Sequence, residues 1–442
     1  MNTPICDFVN EFTKRSPHRL HMPGHKGKSF LDFEAYDITE IDGADSLYEA
    51  DGIIRESEKN VSELFDAVTF YSTEGSSQCI KAMLHLVCME KEEKPLIWAG
   101  RNVHKSFLSS AVLTDFEIKW LYPENDASYL SCRIDGERLR KELEKSDSKP
   151  DAVYVTSPDY LGNMCDIRSL SRVCHENGIL LLVDNAHGSY LKFLPESLHP
   201  IDLGADMCTD SAHKTLPVLT GGAYLHISKK VAHIFENKVK NALSLFGSTS
   251  PSYLILQSLD MANKILCETF RKDLSEFLGE VIKLKSTLEN QGFALVGDEI
   301  LKITIDTKKY GYKGQEVAEI LKGKNIFCEF CDEDFIVFML SPYTDKEALT
   351  VLKETLCSIQ KKDPITDYPP CSPRPEKVYS PRKAAFMPHE TMTADNCLGR
   401  TLAFSTVGCP PAVPIIAGGE KIDKEVINCF RYYNITECTV IK

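Results

Sequence analysis

Thr209-Asp210-Ser211-Ala212-His213-Lys214-Thr215-Leu216 sets a lysine beside a histidine, with small and hydroxyl residues crowding both. On its own, Ser-x-His-Lys suits a solvated surface lysine, the ordinary place for that side chain. Its surroundings argue otherwise. Upstream, Val183-Asp184-Asn185-Ala186-His187-Gly188 ends the apolar run 179–183 with a carboxylate. Further short apolar runs lie at 68–71, 96–99, 117–121, 152–156, 205–208 and 222–227, with helical periodicity at 136–146 and 167–177 between them. Strands alternating with helices predict an α/β fold, a mostly parallel sheet with helices on both faces. Ligands bind such sheets at the carboxyl ends of the strands. The Ser76 turn, His104, the Ser157-Pro158 turn, Asp184 and His213-Lys214 all fall at such ends.

Two of these features have a definite chemistry. The strand 68–71 runs through Ser72-Thr73-Glu74-Gly75-Ser76-Ser77-Gln78 into a helix, which predicts an anion cradle of free N–H groups at a helix start. A buried carboxylate closing one strand and a lysine following a later one match the needs of pyridoxal phosphate. The lysine links to the cofactor aldehyde, and the carboxylate keeps the ring nitrogen protonated so that the ring accepts electrons.

The rest of the chain narrows the class. It has 442 residues, 43% hydrophobic and 26% charged, enough for two or three domains and a large core. The net charge of −13 argues against nucleic acid or anionic membranes as partners. There is no signal-peptide pattern and no apolar run near the ~18–20 residues of a membrane helix, so a cytoplasmic protein is expected. Sixteen cysteines, scattered through apolar stretches, read as reduced thiols. No metal site is expected. His21 and His25 have Pro23-Gly24 between them, which forbids a ligating helix, and Cys328-x-x-Cys331 has no second pair. Residues 37–58 are acid-rich, which suits either a solvated face or contact with a cationic substrate. The expected domains are an N-terminal arm over 1–52, a large cofactor-binding domain over 53–295, and a small C-terminal α/β region over 296–442 with a Pro-rich segment at 363–381.

Motifs along nearly the whole chain resemble those of the Orn/Lys/Arg decarboxylases, pyridoxal-phosphate enzymes of aspartate-aminotransferase fold type I. They are His21-Met22-Pro23-Gly24-His25-Lys26-Gly27, Asp37-Ile38-Thr39-Glu40, Arg101-Asn102-Val103-His104-Lys105-Ser106, Asp184-Asn185-Ala186-His187-Gly188, Ser211-Ala212-His213-Lys214-Thr215-Leu216-Pro217, Thr249-Ser250-Pro251-Ser252-Tyr253, and a tail from Gly408-Cys409-Pro410-Pro411 to Glu420. The resemblance implies that Lys214 carries the cofactor and Asp184 pairs with its ring nitrogen. His104 is implied to stack on the ring and Ala186 to pack on its other face, with His187 either orienting the region of the ring hydroxyl or supporting the loop. Ser76, Ser77, Ser211 and His213 would hold the phosphate, and Ser250 of a neighbouring subunit would complete the cup. Lys214 or a histidine would return the proton to Cα.

The sequence departs from the family pattern at Glu74 before Gly75, at Asn185, at Thr220-Gly221-Gly222 and at Ala412. These departures leave the choice among arginine, lysine and ornithine open. Glu40 and Asp45 are the candidates for reading the substrate's cationic end. A compact homodimer or higher homo-oligomer without a wing domain is implied. Two alternatives stand. One is an aminotransferase or lyase on the same scaffold, with Arg382, Arg400 or Arg431 as the α-carboxylate clamp. The other is a catalytically weak regulatory relative.

Overall fold

The structure, a computed structural model, describes residues 1–123, 128–405 and 410–442; Gly408 and Cys409 of the tail motif lie outside them. The chain folds into two compact units, 1–92 with 167–274, and 93–166 with 275–442. Fourteen strands are described: β1 (Ala67–Ser72), β2 (Leu96–Gly100), β3 (Glu117–Leu121), β4 (Ala152–Thr156), β5 (Leu180–Asp184), β6 (Met207–Asp210), β7 (Ala223–Ser228), β8 (Ala294–Val296), β9 (Lys302–Asp306), β10 (Phe330–Cys331), β11 (Phe335–Met339), β12 (His389–Thr393), β13 (Leu402–Phe404) and β14 (Glu437–Ile441).

In the first unit the strand order is β1-β7-β6-β5. β5 and β6 are parallel, while β7 runs antiparallel to both β6 and β1. The carboxyl ends of β1, β5 and β6 therefore share one edge with the amino end of β7. β5 is Leu-Leu-Leu-Val before its aspartate, the continuous apolar run of a strand buried on both faces. Asp184 pairs with Thr209. Asp210, one residue further on, consequently points to the opposite face of the sheet.

Helices brace this edge. Helix Pro4–Lys14 starts with proline at its first turn, where the missing N–H costs nothing. Asp260 anchors it, accepting from the N–H groups of Ile5 and Cys6 at 3.0 Å each. Helix Ile53–Phe65 has no capping side chain of its own. Asp45 serves instead, its carboxylate accepting from the N–H groups of Ser46, Asp51, Gly52, Ile54 and Arg55.

The second unit holds the parallel set β4-β2-β3 and two antiparallel sheets, β10-β11-β9-β8 and β12-β14-β13. Arg101, just past β2, is almost wholly buried against Glu420 at 2.8 Å and donates to the Ile415 carbonyl at 3.0 Å. Trp120 also donates to Glu420, at 2.8 Å, so the tail motif and the β2 end form one buried polar cluster. Lys105 N–H donates to the Ala412 carbonyl at 2.8 Å, tying the His104 turn to the same tail.

Candidate active site

The β1 turn fixes the first part of the site. Gly75 has φ 72°, a left-handed conformation that suits glycine, and helix Ser76–Met89 begins directly after it. Ser211 Oγ donates to Ser76 Oγ at 2.7 Å, so the end of β6 meets the helix start hydroxyl to hydroxyl. Ser77 follows in the first turn of that helix. Two backbone bonds close the arrangement. Gly75 N–H donates to the Gly221 carbonyl at 2.7 Å, and His213 N–H to the Gly222 carbonyl at 3.2 Å. Gly221 has φ 102°, and a Cβ there would meet the Thr73 carbonyl at 2.9 Å. Only glycine allows that approach.

Behind the turn, Gln78 donates to Tyr48 Oη and to the Leu243 carbonyl, at 2.8 Å each. Gly247 packs so closely there that a Cβ would lie 1.9 Å from Tyr48 Oη. The sequence reading missed this support, although a glycine within Phe246-Gly247-Ser248 was a signal for close backbone approach.

Lys214 lies in the short helix Ala212–Thr215, and its Nζ is 2.8 Å from His187 Nε2. His187 is buried in the turn after β5. Asp184 is buried at the end of that strand, with Oδ1 accepting from the Ala186 N–H at 3.2 Å. His213 Nδ1 bonds the Gly222 carbonyl at 2.9 Å, which assigns the proton to Nδ1. Burial holds the His213 imidazole below its ordinary pKa; the Gly222 carbonyl opposes this and the Lys214 charge reinforces it. The ring is therefore neutral near pH 7, with its basic nitrogen at Nε2.

The first unit thus brings Ser76, Ser77, Asp184, Ala186, His187, Ser211, His213 and Lys214 to one sheet edge. Ser250 is exposed between the helices Ala232–Ser244 and Tyr253–Glu268, and among the described residues no hydrogen bond joins it to the Ser76–Ser211 pair. Glu40 is exposed and takes a hydrogen bond from Thr39 at 2.6 Å. The Asp45 carboxylate is occupied by the helix cap described above. In the second unit, His104 caps helix Lys105–Thr114, with Nδ1 accepting from the Ser106 N–H at 3.1 Å. Arg382 donates to the Val112 and Leu113 carbonyls, Arg400 pairs with Glu390 and donates to the Ile441 carbonyl, and Arg431 pairs with Asp395. Each of the three clamp candidates is engaged elsewhere.

Comparison with known proteins follows the same lines. The sequence profile described as "Orn/Lys/Arg decarboxylase, major domain" matches residues 3–305. An arginine decarboxylase of Halalkalibacterium halodurans is 30% identical, the alignment covering 98% of this chain and 93% of that one. The protein YaaO of Bacillus subtilis, uncharacterized, is also 30% identical, over 97% and 93% respectively. Among solved structures, the lysine decarboxylase of Francisella novicida shares the fold with a TM-score of 0.80 at 19% identity, covering 100% of this chain and 81% of that one.

Proposed function

This chain belongs to the Orn/Lys/Arg decarboxylase family, and from that premise we propose that it decarboxylates a basic L-amino acid with pyridoxal phosphate. Arginine is the first substrate to test, since a relative matched over nearly its full length bears the name arginine decarboxylase. The observation that carries the reading is the Lys214–His187 contact at 2.8 Å, on the strand edge that also holds buried Asp184 and the Ser76–Ser211 pair.

The donor set fits the cofactor. The helix start at Ser76, directly after the left-handed Gly75, suits a phosphate, and Asp184 suits a protonated ring nitrogen. When bound, pyridoxal phosphate supplies a sink for the electron pair left on Cα as CO₂ departs. The net change is cleavage of the Cα–carboxylate bond and transfer of one proton to Cα. Lys214 is oriented by its 2.8 Å contact with His187 Nε2. His213, neutral through burial, keeps a basic Nε2 for proton transfer. His104 takes the ring-stacking role on the family resemblance alone. Glu40, with an exposed carboxylate, is the remaining candidate for the substrate's distal cation. The engagement of Arg382, Arg400 and Arg431 disfavours transamination, which needs a free carboxylate clamp.

We assign a homo-oligomer on the exposed apolar residues of the N-terminal segment, Leu20, Met22, Phe30 and Leu31, with Leu20 95% exposed. No described helix is long and apolar enough to cross a membrane. The described cysteines are free thiols, which supports a cytoplasmic setting. The deciding experiment incubates the cofactor-loaded protein separately with arginine, lysine and ornithine and measures CO₂ and amine. Release of CO₂ with one diamine or agmatine names the substrate. A keto acid without CO₂ would replace this reading with transamination.

A further inference from the structure

A second cluster of reactive side chains lies on the face of the first unit's sheet that Asp210 occupies. Cys208 and Asp210 are alternate residues of β6 and so share that face. His226 of β7 pairs directly with Cys208 and points the same way. His199, from the connection that precedes β6, completes the group. All four residues are fully buried.

Their ligand atoms lie close enough together to surround one ion. Asp210 Oδ2 is 3.2 Å from His199 Nε2 and 3.4 Å from His226 Nε2. Cys208 Sγ is 3.9 Å from His199 Nε2, and the four candidate ligand atoms all lie within 4.8 Å of one another. Nitrogen, oxygen and sulfur ligands bound to zinc at about 2.0–2.3 Å stand roughly 3.3–3.8 Å apart along the edges of a tetrahedron. The surrounding bonds turn the ligand atoms inward. His226 Nδ1 is held by Thr69 Oγ1 at 2.9 Å, and Asp210 Oδ1 by Asn185 Nδ2 at 2.7 Å. His226 Nε2 is buried and, among the described residues, makes no hydrogen bond despite its distance to Asp210.

Charge points the same way. A buried carboxylate calls for compensating positive charge, and the nearby Lys192 ammonium is paired with Asp202 at 2.6 Å. A divalent ion bound by one carboxylate, one thiolate and two neutral imidazoles leaves the cluster with no net charge. We propose that His199, Cys208, Asp210 and His226 form a closed, structural zinc site that fastens β6, β7 and the preceding connection behind the Lys214 segment. Two imidazoles, a thiolate and a carboxylate in tetrahedral array favour zinc over magnesium or calcium, which prefer more oxygen ligands. Binding releases the Cys208 thiol proton to solvent, and no oxidant or reductant is involved.

The test uses the full chain, expressed with added zinc and purified without chelator. Elemental analysis is expected to give about one zinc ion per chain. Cys208→Ser and His226→Gln, checked for folding by circular dichroism, are expected to lose most of it. Thr69→Val keeps every ligand and is expected to bind zinc about 10–100-fold more weakly in chelator competition. Cobalt-loaded wild type should show tetrahedral visible bands with a thiolate charge-transfer band, which remains a readout if the ligand variants do not fold. Zinc below about a tenth of an equivalent in wild type, equal zinc in Cys208→Ser, or a cobalt spectrum without the thiolate band would each overturn the proposal. In that event the four residues are a metal-free nest in which two imidazole N–H groups serve one carboxylate.

Discussion

Strands β5 and β6 lie side by side and each ends in a buried aspartate, yet Asp184 and Asp210 face opposite sides of the sheet. Asp184 shares its edge with Lys214 and His187. Asp210 looks into a packed interior of His199, His226 and Cys208. A shift of one residue in register separates a candidate catalytic carboxylate from a structural one. Asn185 joins the two, following Asp184 in the chain and donating to Asp210 at 2.7 Å. The lesson is that burial alone does not mark a functional acid; its company does.

Substitutions should divide the two aspartates cleanly. Lys214→Ala is expected to abolish both the covalent cofactor linkage and amine formation, read by visible absorbance and product assay. Asp184→Ala should lower kcat by about 10²–10³-fold, with a smaller effect on the urea midpoint. Asp210→Ala should show the reverse emphasis, losing about 3 kcal/mol of unfolding free energy as its buried partners are left unsatisfied. If Asp210→Ala unfolds at the wild-type urea concentration, the contrast between the two residues fails.

Asp260, another buried aspartate of this unit, offers a pH-dependent comparison. Burial pushes its carboxyl up to about 6, against the opposing pull of the Ser57 hydroxyl and the Cys6 and Ile5 N–H groups. An acid raised in the folded state keeps its proton where the unfolded chain has released it. Its contribution to stability is therefore full below the ordinary carboxylate value of about 4 and is lost as pH rises through about 6. The expected loss is on the order of 3 kcal/mol over that window, absent in Asp260→Asn, and denaturation at stepped pH checks it. The smallest expected effect is at Asp45. Its replacement by Ala removes a cap from helix Ile53–Phe65 and should cost about 1–2 kcal/mol, measured by thermal unfolding.

The site around Lys214 was legible because its signals are local. A strand, a carboxylate and a Ser-x-His-Lys each occupy a few consecutive residues, and the motifs resemble one family along the chain. The β1 turn was legible too, as a glycine and serines between an apolar run and a helix. The cluster at Asp210 was not. His199, Cys208 and His226 stand apart in sequence and meet only through the pairing of β6 with β7 and the path of the connection before β6, and a lone histidine in an apolar strand reads as core. Asp45 was hidden differently. Within an acid-rich run nothing distinguishes a carboxylate that caps a helix from one that meets a substrate. Arg382, Arg400 and Arg431 likewise look free in sequence, because their carbonyl and carboxylate partners come from distant segments.

The reversed direction of β7 brings Gly221 and Gly222 to the edge where their carbonyls accept the N–H groups of Gly75 and His213. The lysine loop is thus pinned at both ends, by Ser211 on the β6 side and by the two glycine carbonyls on the β7 side. Its conformational entropy is given up when the chain folds rather than when the cofactor arrives. Cofactor affinity then reflects contacts made to a ready-shaped receptacle, and amide exchange across 211–222 should be nearly as slow before loading as after it.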